Sequence, residues 1–300
     1  MTAASTRDDR IPLRMRLSAR GLDAVTLLVL PAVGLMVGLF VYPFLYGFWL
    51  SFHPKDGLSV VGNYLRFFSE PRLYETIAKT LWIALPVTAI NLLAAIPVAF
   101  RVRLMRRQRL LTTLLVLPIT LGTVLVAEGL LNYLGPQGWL NRTLLLFGLI
   151  SSPVKLVHNY WGVFLSLVIT GFPFTFLLTL SYVTGIDPTL ERAAATLGAR
   201  AASRFRHIFL PLLIPGLAIT FCLSFVQAFS VFPSAILLGA PAGPTRVISI
   251  AAYEAAFEEY DYSLASAIAM IMAAVQLAIV GLILASRGLF YRGPASGGKG

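Results

Sequence analysis

The stretch "LERAAATLGARAASRFRHIFLPLLIPG", residues 190–216, separates two long apolar segments of a strongly hydrophobic chain. The residues before it, from Asn159 to Thr184, and those after it, from Leu217 to Ala240, are nearly all apolar. The stretch itself contains one acid, four arginines, small residues in its first half and two prolines near its end. Its polar residues therefore stand apart from the segments on both sides.

The composition indicates a membrane protein. Of the 300 residues, 57% are hydrophobic and 12% are charged, and the mean hydropathy is +0.80. About 20 consecutive apolar residues can cross a bilayer as a helix, and lipid excludes open strand edges. We therefore predict an all-α fold, a polytopic membrane helix bundle with six transmembrane helices. Spans 1 to 6 are predicted at about residues 24–50, 76–100, 110–134, 159–184, 208–239 and 264–287.

The basic residues are unevenly distributed between the two ends of these spans. Five precede span 1, five follow span 2, four lie in the stretch quoted above and three follow span 6, which is 17 of the 24 lysines and arginines. Loops rich in lysine and arginine stay in the cytoplasm. The bias therefore predicts that both termini and residues 190–207 are cytoplasmic. It also accounts for the net charge of +11 without a nucleic-acid partner.

Residues that carry out catalysis or bind metal are not apparent in the sequence. Cys222 is the single cysteine and the three histidines fall in separate loops, so neither a disulfide framework nor a metal cluster is expected. The tail contains the spacing of a phosphate loop at Gly293, Gly298 and Lys299, but it lacks the Ser or Thr that should follow. We predict no catalytic residue, no metal and no cofactor. The first apolar segment is too long for a signal peptide and is predicted to be a retained helix.

The loops opposite residues 190–207 are too short to hold a folded domain. One of them, residues 135–158, is predicted to contain a short helix from Trp139 to Leu149. Another, residues 240–263, carries Glu254 and Glu258, which are one helical turn apart. That spacing predicts a surface helix with a solvated acidic face.

The opening stretch itself is predicted to form two helices. Asp187 precedes Pro188 and is biased away from helical geometry, so a helix can begin directly after it. Gly198 then ends or bends this helix, and a second helix leads into span 5. Ala193 and Ala194 present almost no side chain, which suits close contact with a partner protein. The alternative is a helical hairpin that packs against the spans of this chain.

This stretch resembles a cytoplasmic signature of ABC-importer permeases, which reads E-A-A, three residues, G, nine residues, I-x-L-P. The matching residues are Ala193, Ala194, Gly198, Ile208, Leu210 and Pro211. The chain is similar over about residues 76–290 to permease subunits of binding-protein-dependent importers of the type I architecture. It departs from the signature at the glutamate, because Arg192 occupies that position and Glu191 is one residue early. One residue on a helix turns a side chain by about 100°, which puts in doubt the salt bridge expected of the glutamate.

The resemblance implies a domain organisation. A basic cytoplasmic N-terminus (1–23) and an extra first helix (24–50) would precede the MetI-like permease core (76–290), and a cytoplasmic tail (291–300) would follow it. The loop 185–207 would couple the chain to an ATPase, and ATP would be hydrolysed in that separate protein. The residues assigned to this coupling are Glu191, Arg192, Ala193, Ala194, Leu197, Gly198, Ile208, Leu210 and Pro211.

The resemblance also implies the partners. They are two copies of an ABC ATPase, a second homologous permease and an extracytoplasmic solute-binding protein, assembled in the plasma membrane of a prokaryote among its lipids. A secondary transporter is the alternative from another class, but it would normally show paired half-chains and ion sites at the membrane centre.

The solute is less clearly indicated. Leu197-Gly198-Ala199, "NYLRFF" (Asn63 to Phe68) and "YDYSLASAIAM" (Tyr260 to Met270) resemble the spermidine/putrescine group of permeases, and a sugar importer is the alternative. Polar residues inside spans are candidates for the solute pathway, or equally for hydrogen bonds between helices. An acid near the end of a span can also extend to the membrane surface or pair with an arginine. The candidates are Glu128, Asn132, Asn91, Ser224, Gln227 and Ser230.

Overall fold

The computed structural model describes residues 24–55, 57 and 59–290. The predicted basic N-terminus (1–23) and the predicted tail (291–300), with its glycine-rich sequence, lie outside the described residues. The described part of the chain forms helices and no strands, which confirms the all-α prediction.

Six helices in the described part are long and apolar enough to cross a membrane, as predicted. Span 1 consists of Ala24–Met36, the π-helical turn Val37–Val41 and Tyr42–Ser51; span 2 is Pro71–Arg103; span 3 is Gln108–Leu134; span 4 is Tyr160–Thr184; span 5 consists of Ala201–Arg204, the π-helical turn Phe205–Phe209 and Leu210–Phe229; span 6 is Tyr262–Phe290. Shorter helices cover Gly62–Ser69, Trp139–Leu146, Pro188–Thr196, Pro233–Leu237 and Ile248–Tyr253, the last continued by a π-helical turn at Glu254–Glu258.

Spans 2, 4 and 5 form the centre of the bundle. In the most apolar part of each span, 50% of span 4 is buried, 44% of span 5 and 39% of span 2. By contrast, the same part of span 1 is not buried at all, and only 6% of that part of span 3 is buried. Span 1 packs along span 6. Spans 1 and 3 therefore present most of their apolar surface to lipid or to a partner.

Two large apolar clusters fill the bundle, one towards each end. The first joins spans 2, 4, 5 and 6 and includes Ile83, Phe225 and Ile268, all fully or almost fully buried. The second joins spans 2, 4 and 5 near residues 186–213 and includes Ala99 and Phe176. Small alanines on span 2 allow the aromatic rings of its neighbours to pack closely. The second cluster fixes the ends of the spans beside the quoted stretch.

Span 5 is shorter than predicted. It ends at Phe229, and Pro233 begins a separate short helix, so the prediction that span 5 reaches residue 239 was wrong. Proline cannot donate a backbone hydrogen bond to the preceding turn, and it disfavours helical geometry at the residue before it. Phe232 accordingly lies outside helical geometry, with φ −134°. The helix is therefore interrupted between Ser230 and Phe232.

The predicted acidic surface in the loop 240–263 was also wrong for Glu254. Its side chain is only 14% exposed and pairs with Arg246, which is almost fully buried. A buried guanidinium requires an ionic partner. Arg246 lies before the helix that carries Glu254, so the helical spacing of the acids could not reveal this pair. Glu258 remains exposed. The other predicted loop helix ends at Leu146 instead of residue 149.

Candidate functional site

The quoted stretch begins just after the start of the short helix Pro188–Thr196, whose beginning matches the prediction. Asp187 precedes it in an extended conformation, and its carboxylate accepts a hydrogen bond from the backbone N–H of Thr189 at 2.8 Å. This hydrogen bond lowers the pKa of Asp187, because it stabilises the charged carboxylate. Pro188 occupies the first helical position, where its missing N–H is tolerated. Asp187 and Pro188 together therefore define where the helix starts.

Gly198 ends this helix in a left-handed conformation with φ +79°. The N–H of Gly198 bonds to the carbonyl of Ala195, and that of Ala199 bonds to the carbonyl of Ala194, both at 3.0 Å. This pair of bonds is a Schellman motif, in which glycine is the preferred residue. A Cβ atom at Gly198 would have no non-neighbouring atom of the described residues within 4 Å. The backbone conformation, and not crowding within the chain, therefore requires glycine here.

One face of the helix Pro188–Thr196 is apolar and uncovered. None of its residues is buried. Leu190 is 45% exposed and Leu197, just after the helix, is 88% exposed, while Ala193 is also exposed. Residues at a spacing of three and four lie on the same face of a helix. This face does not pack against the spans of the same chain, and an exposed apolar face of this kind indicates an interaction site.

Glu191 faces the body of the protein and pairs with it. Its carboxylate accepts a hydrogen bond from Nη2 of Arg103 at 2.7 Å, and Nη2 of Arg204 lies 3.9 Å from its other oxygen. Arg192, in the position of the motif glutamate, is exposed. Glu191, the acid nearest to the position of the motif glutamate, therefore forms its salt bridges within this chain.

The second half of the signature lies where span 5 changes from a π-helical turn to an α-helix. Ile208 belongs to the turn Phe205–Phe209, Leu210 is the first α-helical residue and Pro211 the second. Pro211 has no backbone N–H to donate, so the span lacks one intrahelical hydrogen bond where the π-helical turn meets the α-helix. All three residues are half-buried, so they belong to the packing of span 5 and not to the uncovered face.

Four of the six candidate pathway residues line one cavity. It has a volume of about 140 Å³ and lies among spans 2, 4 and 5, next to the break after Phe229. Asn91 comes from span 2, Ser224 and Gln227 from span 5, and Ser230 directly follows span 5. Their role in transport stays a prediction, but the fold brings them together.

Several hydroxyl groups in the same cavity were not predicted from the sequence. Thr170 and Thr175 on span 4, Ser234 after the break and Thr123 on span 3 also line it. Thr175 and Ser224 share a hydrogen bond of 2.8 Å between their hydroxyl oxygens. The residues that line the cavity include no charged side chain. Its surface is therefore neutral, with many groups that can both donate and accept hydrogen bonds.

Asn91 has an unusual position among these residues. It is 2% exposed, and its Nδ2 donates to the carbonyl of Leu167 at 3.4 Å. Among the residues that the structure describes, its Oδ1 finds no hydrogen-bond partner. A buried polar atom without a partner is rare and calls for an explanation. Since Asn91 lines the cavity, a solute with an N–H or O–H group is a suitable partner.

Glu128 and Asn132 are separate from this cavity. They lie on span 3, and Nδ2 of Asn132 donates to the backbone carbonyl of Glu128 at 3.0 Å and to its carboxylate at 3.4 Å. The two residues thus share one helix face, as their spacing predicts, and both are exposed in the single chain. Gly122, with φ +75°, interrupts the helical geometry of span 3 six residues before Glu128. The next residue, Thr123, lines the cavity.

Metal ligands are not grouped in the described part of the chain. No set of three or more histidine, cysteine, aspartate or glutamate residues there is arranged to hold a metal ion.

Residues 90–288 match the family described as binding-protein-dependent transport system inner membrane component. The chain is 31% identical over 221 residues to the spermidine/putrescine transport system permease protein PotB of Escherichia coli (strain K12), covering 71% of this chain and 80% of that protein. It is 29% identical over 176 residues to the probable sulfate transport system permease protein cysT of Prototheca wickerhamii, covering 59% and 67% of the two chains.

The fold is similar to that of solved importers. One is a bacterial ABC transporter involved in the import of the acidic polysaccharide alginate, with a TM-score of 0.75, 20% identity and coverage of 92% of this chain and 98% of that chain. The other is a bacterial alginate ABC transporter in complex with an alginate pentasaccharide-bound periplasmic protein, with a TM-score of 0.78, 22% identity and coverage of 94% and 99%. At this identity the similarity concerns the fold.

Proposed function

Because the chain belongs to the family of binding-protein-dependent transport system inner membrane components and is a permease subunit of an ABC importer, we propose that it forms half of a solute pathway and is driven by a separate ATPase. A second homologous permease would supply the other half. Two ATPase copies would bind on the cytoplasmic side, and an extracytoplasmic binding protein would deliver the solute. The complex would reside in the plasma membrane of a prokaryote.

The observation that carries this proposal is the uncovered apolar face of the helix Pro188–Thr196. An exposed leucine is common on protein surfaces, but two leucines and an alanine on one face of an isolated helix favour a partner. The helix has no buried residue of its own. A groove on the ATPase would cover Leu190, Ala193 and Leu197 and complete the packing that this chain leaves open.

The ATPase would act through this helix by moving it. A nucleotide shifts a conformational equilibrium only as far as it binds one state more tightly than the other. ATP would bind tightly to the closed ATPase pair. Closure would displace the helix Pro188–Thr196 and its counterpart in the second permease, which are docked on the two ATPase copies. The spans would then move between inward-facing and outward-facing arrangements.

The test is to place a charge on each side of this helix. Ala193→Asp introduces a carboxylate into the proposed contact, where it would be desolvated without a partner. We expect this variant to insert into the membrane but to lose co-purification with the ATPase and solute-stimulated ATP hydrolysis. Ala195→Asp is the control for co-purification, because Ala195 is also exposed but lies about 200° away around the helix. Its stimulated hydrolysis is not compared, because Ala195 is one turn after Glu191 and a second carboxylate there can compete for Arg103.

Two outcomes contradict the docking proposal. In the first, Ala193→Asp retains normal co-purification and stimulated hydrolysis. In the second, both variants lose co-purification equally, which would mean that the charge destabilises the helix instead of its contact with the ATPase.

For the solute, we propose a small organic cation of the polyamine type. Support comes from the relative that is named a spermidine/putrescine permease, since the similarity extends over 80% of that protein's length. The unpaired acceptor Oδ1 of Asn91 suits an ammonium donor, and the carboxylate of Glu128 supplies a negative charge on span 3. The neutral cavity alone does not select a charge, so the second permease would contribute to selection. A sugar or an inorganic anion is the alternative, since another relative is named a sulfate permease.

Uptake measurements decide between these solutes. Cells that express the complete transporter are supplied with labelled putrescine, in competition with spermidine, sulfate or a disaccharide in excess. Competition by spermidine alone supports the polyamine class. Putrescine uptake no higher than that of cells without the transporter would exclude it.

A further inference from the structure

The helix Pro188–Thr196 has few ways to transmit a force to the spans. It has no buried residue, and its apolar side chains do not belong to the adjacent apolar cluster. The backbone connects it to spans 4 and 5 through the turns at 185–187 and 197–200. In the described part of the chain, its side-chain ion pairs with the spans are those of Glu191.

The partner of Glu191 lies where three spans meet. Arg103 is the last residue of span 2, and its side chain is only 11% exposed. Its Nη1 donates to the carbonyl of Val183, in the last turn of span 4, at 3.3 Å. The last carbonyls of a helix have no partner within the helix, so Arg103 caps span 4 while it holds Glu191.

Two aromatic rings fix the guanidinium in this position. Its central carbon lies 4.8 Å from the ring centre of Phe209 and 5.4 Å from that of Phe100. Phe209 belongs to the π-helical turn at the start of span 5, and the two rings pack edge to face with centres 5.1 Å apart. One planar cation thus contacts spans 2, 4 and 5 as well as the helix Pro188–Thr196.

We propose that Arg103 is the residue that carries movement of the helix Pro188–Thr196 to the ends of spans 2, 4 and 5. This inference rests on the proposed function, since it requires an ATPase to move that helix. The position of Glu191, one residue before the motif glutamate, is what allows the ion pair. On a helix this offset turns the carboxylate by about 100°, towards Arg103 and away from the outward position that Arg192 occupies.

An arginine is required for this role because a lysine makes fewer of these contacts. The guanidinium donates several hydrogen bonds in one plane and can also stack on aromatic rings. An ammonium group keeps the charge for Glu191, but it cannot bind Val183 in the same geometry and it stacks less well. Arg103→Lys is therefore expected to retain part of the function, and Arg103→Met is expected to lose it while preserving a side chain of similar length.

The experiment uses the complete transporter in proteoliposomes, with the binding protein and its solute. We expect Arg103→Met to keep ATPase co-purification and basal hydrolysis. Maximal solute-stimulated hydrolysis and uptake should fall about tenfold, the effect of losing one charge-assisted hydrogen bond. The binding-protein concentration at half-maximal stimulation should change by less than about twofold, because binding on the other side is not altered. Arg101→Met is the matched control, since Arg101 is an exposed arginine on the same helix end.

A double-mutant cycle tests whether the pair acts as a unit. Combining Arg103→Met with Glu191→Gln should reduce stimulated hydrolysis no further than the single variants do, because residues that act through one contact are not additive. Independent, multiplying effects would contradict the link. Loss of ATPase co-purification in Arg103→Met would also contradict it, by showing that Arg103 is needed for the helix Pro188–Thr196, the proposed docking helix, to bind the ATPase. If the unaltered transporter neither bound the ATPase nor was stimulated by solute, the proposed function itself would fail, and this inference with it.

Discussion

At the scale of single residues, the unpaired oxygen of Asn91 leads to a prediction about transport and stability. Asn91→Leu removes a buried acceptor that has no partner in the free chain and replaces it with an apolar side chain of similar shape. The substitution also removes the 3.4 Å hydrogen bond from Nδ2 to the carbonyl of Leu167, and removal of the unsatisfied acceptor offsets the loss of this long bond. We expect solute uptake to fall strongly while the unfolding temperature of the detergent-purified complex stays the same or rises.

The control for this substitution is Thr88→Val. Thr88 lies one turn before Asn91 on span 2 and is equally buried, but its hydroxyl donates to the carbonyl of Ala84 at 2.7 Å and does not line the cavity. Uptake by Thr88→Val should remain near that of the unaltered protein. Full uptake by Asn91→Leu would show that Asn91 only joins spans 2 and 4.

The carboxylate of Glu128 leads to a second prediction at this scale. If it attracts a cationic solute, Glu128→Gln should lower uptake at low solute concentration by about tenfold, since losing about 1.4 kcal/mol of attraction between opposite charges is a tenfold change in affinity. Complex assembly should be unchanged, because the amide can still bond to Asn132. Glu75→Gln, an exposed acid at the start of span 2, is the control. Unaltered uptake by Glu128→Gln would leave that residue a structural role.

Some members of the cavity could be predicted from the sequence, and others could not. Asn91 and Gln227 are conspicuous because an amide inside an apolar span requires a partner. Thr170 and Thr175 are not, because each donates its hydroxyl to a carbonyl four residues earlier in its own helix. A threonine can therefore lie anywhere around a membrane helix. Only the packing of span 4 against span 5 assigns these two to the cavity.

At the scale of secondary-structure elements, the end of the helix Pro188–Thr196 depends on the conformation of Gly198. Left-handed geometry costs most residues about 1–2 kcal/mol, but asparagine adopts it more readily. We expect Gly198→Val to loosen the turn and to increase amide hydrogen exchange over residues 188–200. Gly198→Asn should leave exchange close to normal, because in the described part of the chain no atom beyond the neighbouring residues lies within 4 Å of a Cβ at this position.

The same pair of variants separates conformation from clearance against the ATPase. Normal exchange together with lost ATPase co-purification in Gly198→Asn would mean that the partner approaches this glycine closely. Increased exchange in both variants would mean that the turn tolerates no side chain at all. Normal exchange in Gly198→Val would contradict the assigned role of the left-handed geometry.

The helical elements were largely predictable, and their interruptions were not. Long apolar runs predict the six spans, because helix length must match the bilayer. The break after Phe229 occurs in a run that stays mostly apolar to Leu238, with only Ser230 and Ser234 as polar residues, so composition gives little sign of it. Prolines do not mark it uniquely either, because Pro173 and Pro215 lie inside continuous helices. What distinguishes Pro233 is the surrounding structure, in which Ser234 bonds to Ser166 of span 4 at 2.9 Å and stabilises a new helix.

At the scale of the whole molecule, the uneven burial of the spans indicates where a second subunit can fit. Spans 2, 4 and 5 bury much of their apolar surface within the chain, whereas spans 1 and 3 do not. Lipid can cover the leucines and phenylalanines of span 1. It is a poor environment for Glu128, because a carboxylate inside the membrane needs a polar partner or water. The face of span 3 that carries Glu128 is therefore the one that we expect to meet the second permease or the solute pathway.

The orientation of the molecule gives the last prediction. The helix Pro188–Thr196 and the loop 240–261 lie at opposite ends of span 5, so they must be on opposite sides of the membrane. The excess of arginine beside the former predicts that it is cytoplasmic. We expect a membrane-impermeant maleimide to label Glu258→Cys in intact spheroplasts, and to label Arg200→Cys only in inverted vesicles. Both positions are exposed, and the buried Cys222 is replaced through Cys222→Ala, which also provides the unlabelled control. The reverse pattern would place the docking helix outside the cell, where it could not meet an ATPase supplied with cytoplasmic ATP, and the coupling proposal would fail with the orientation.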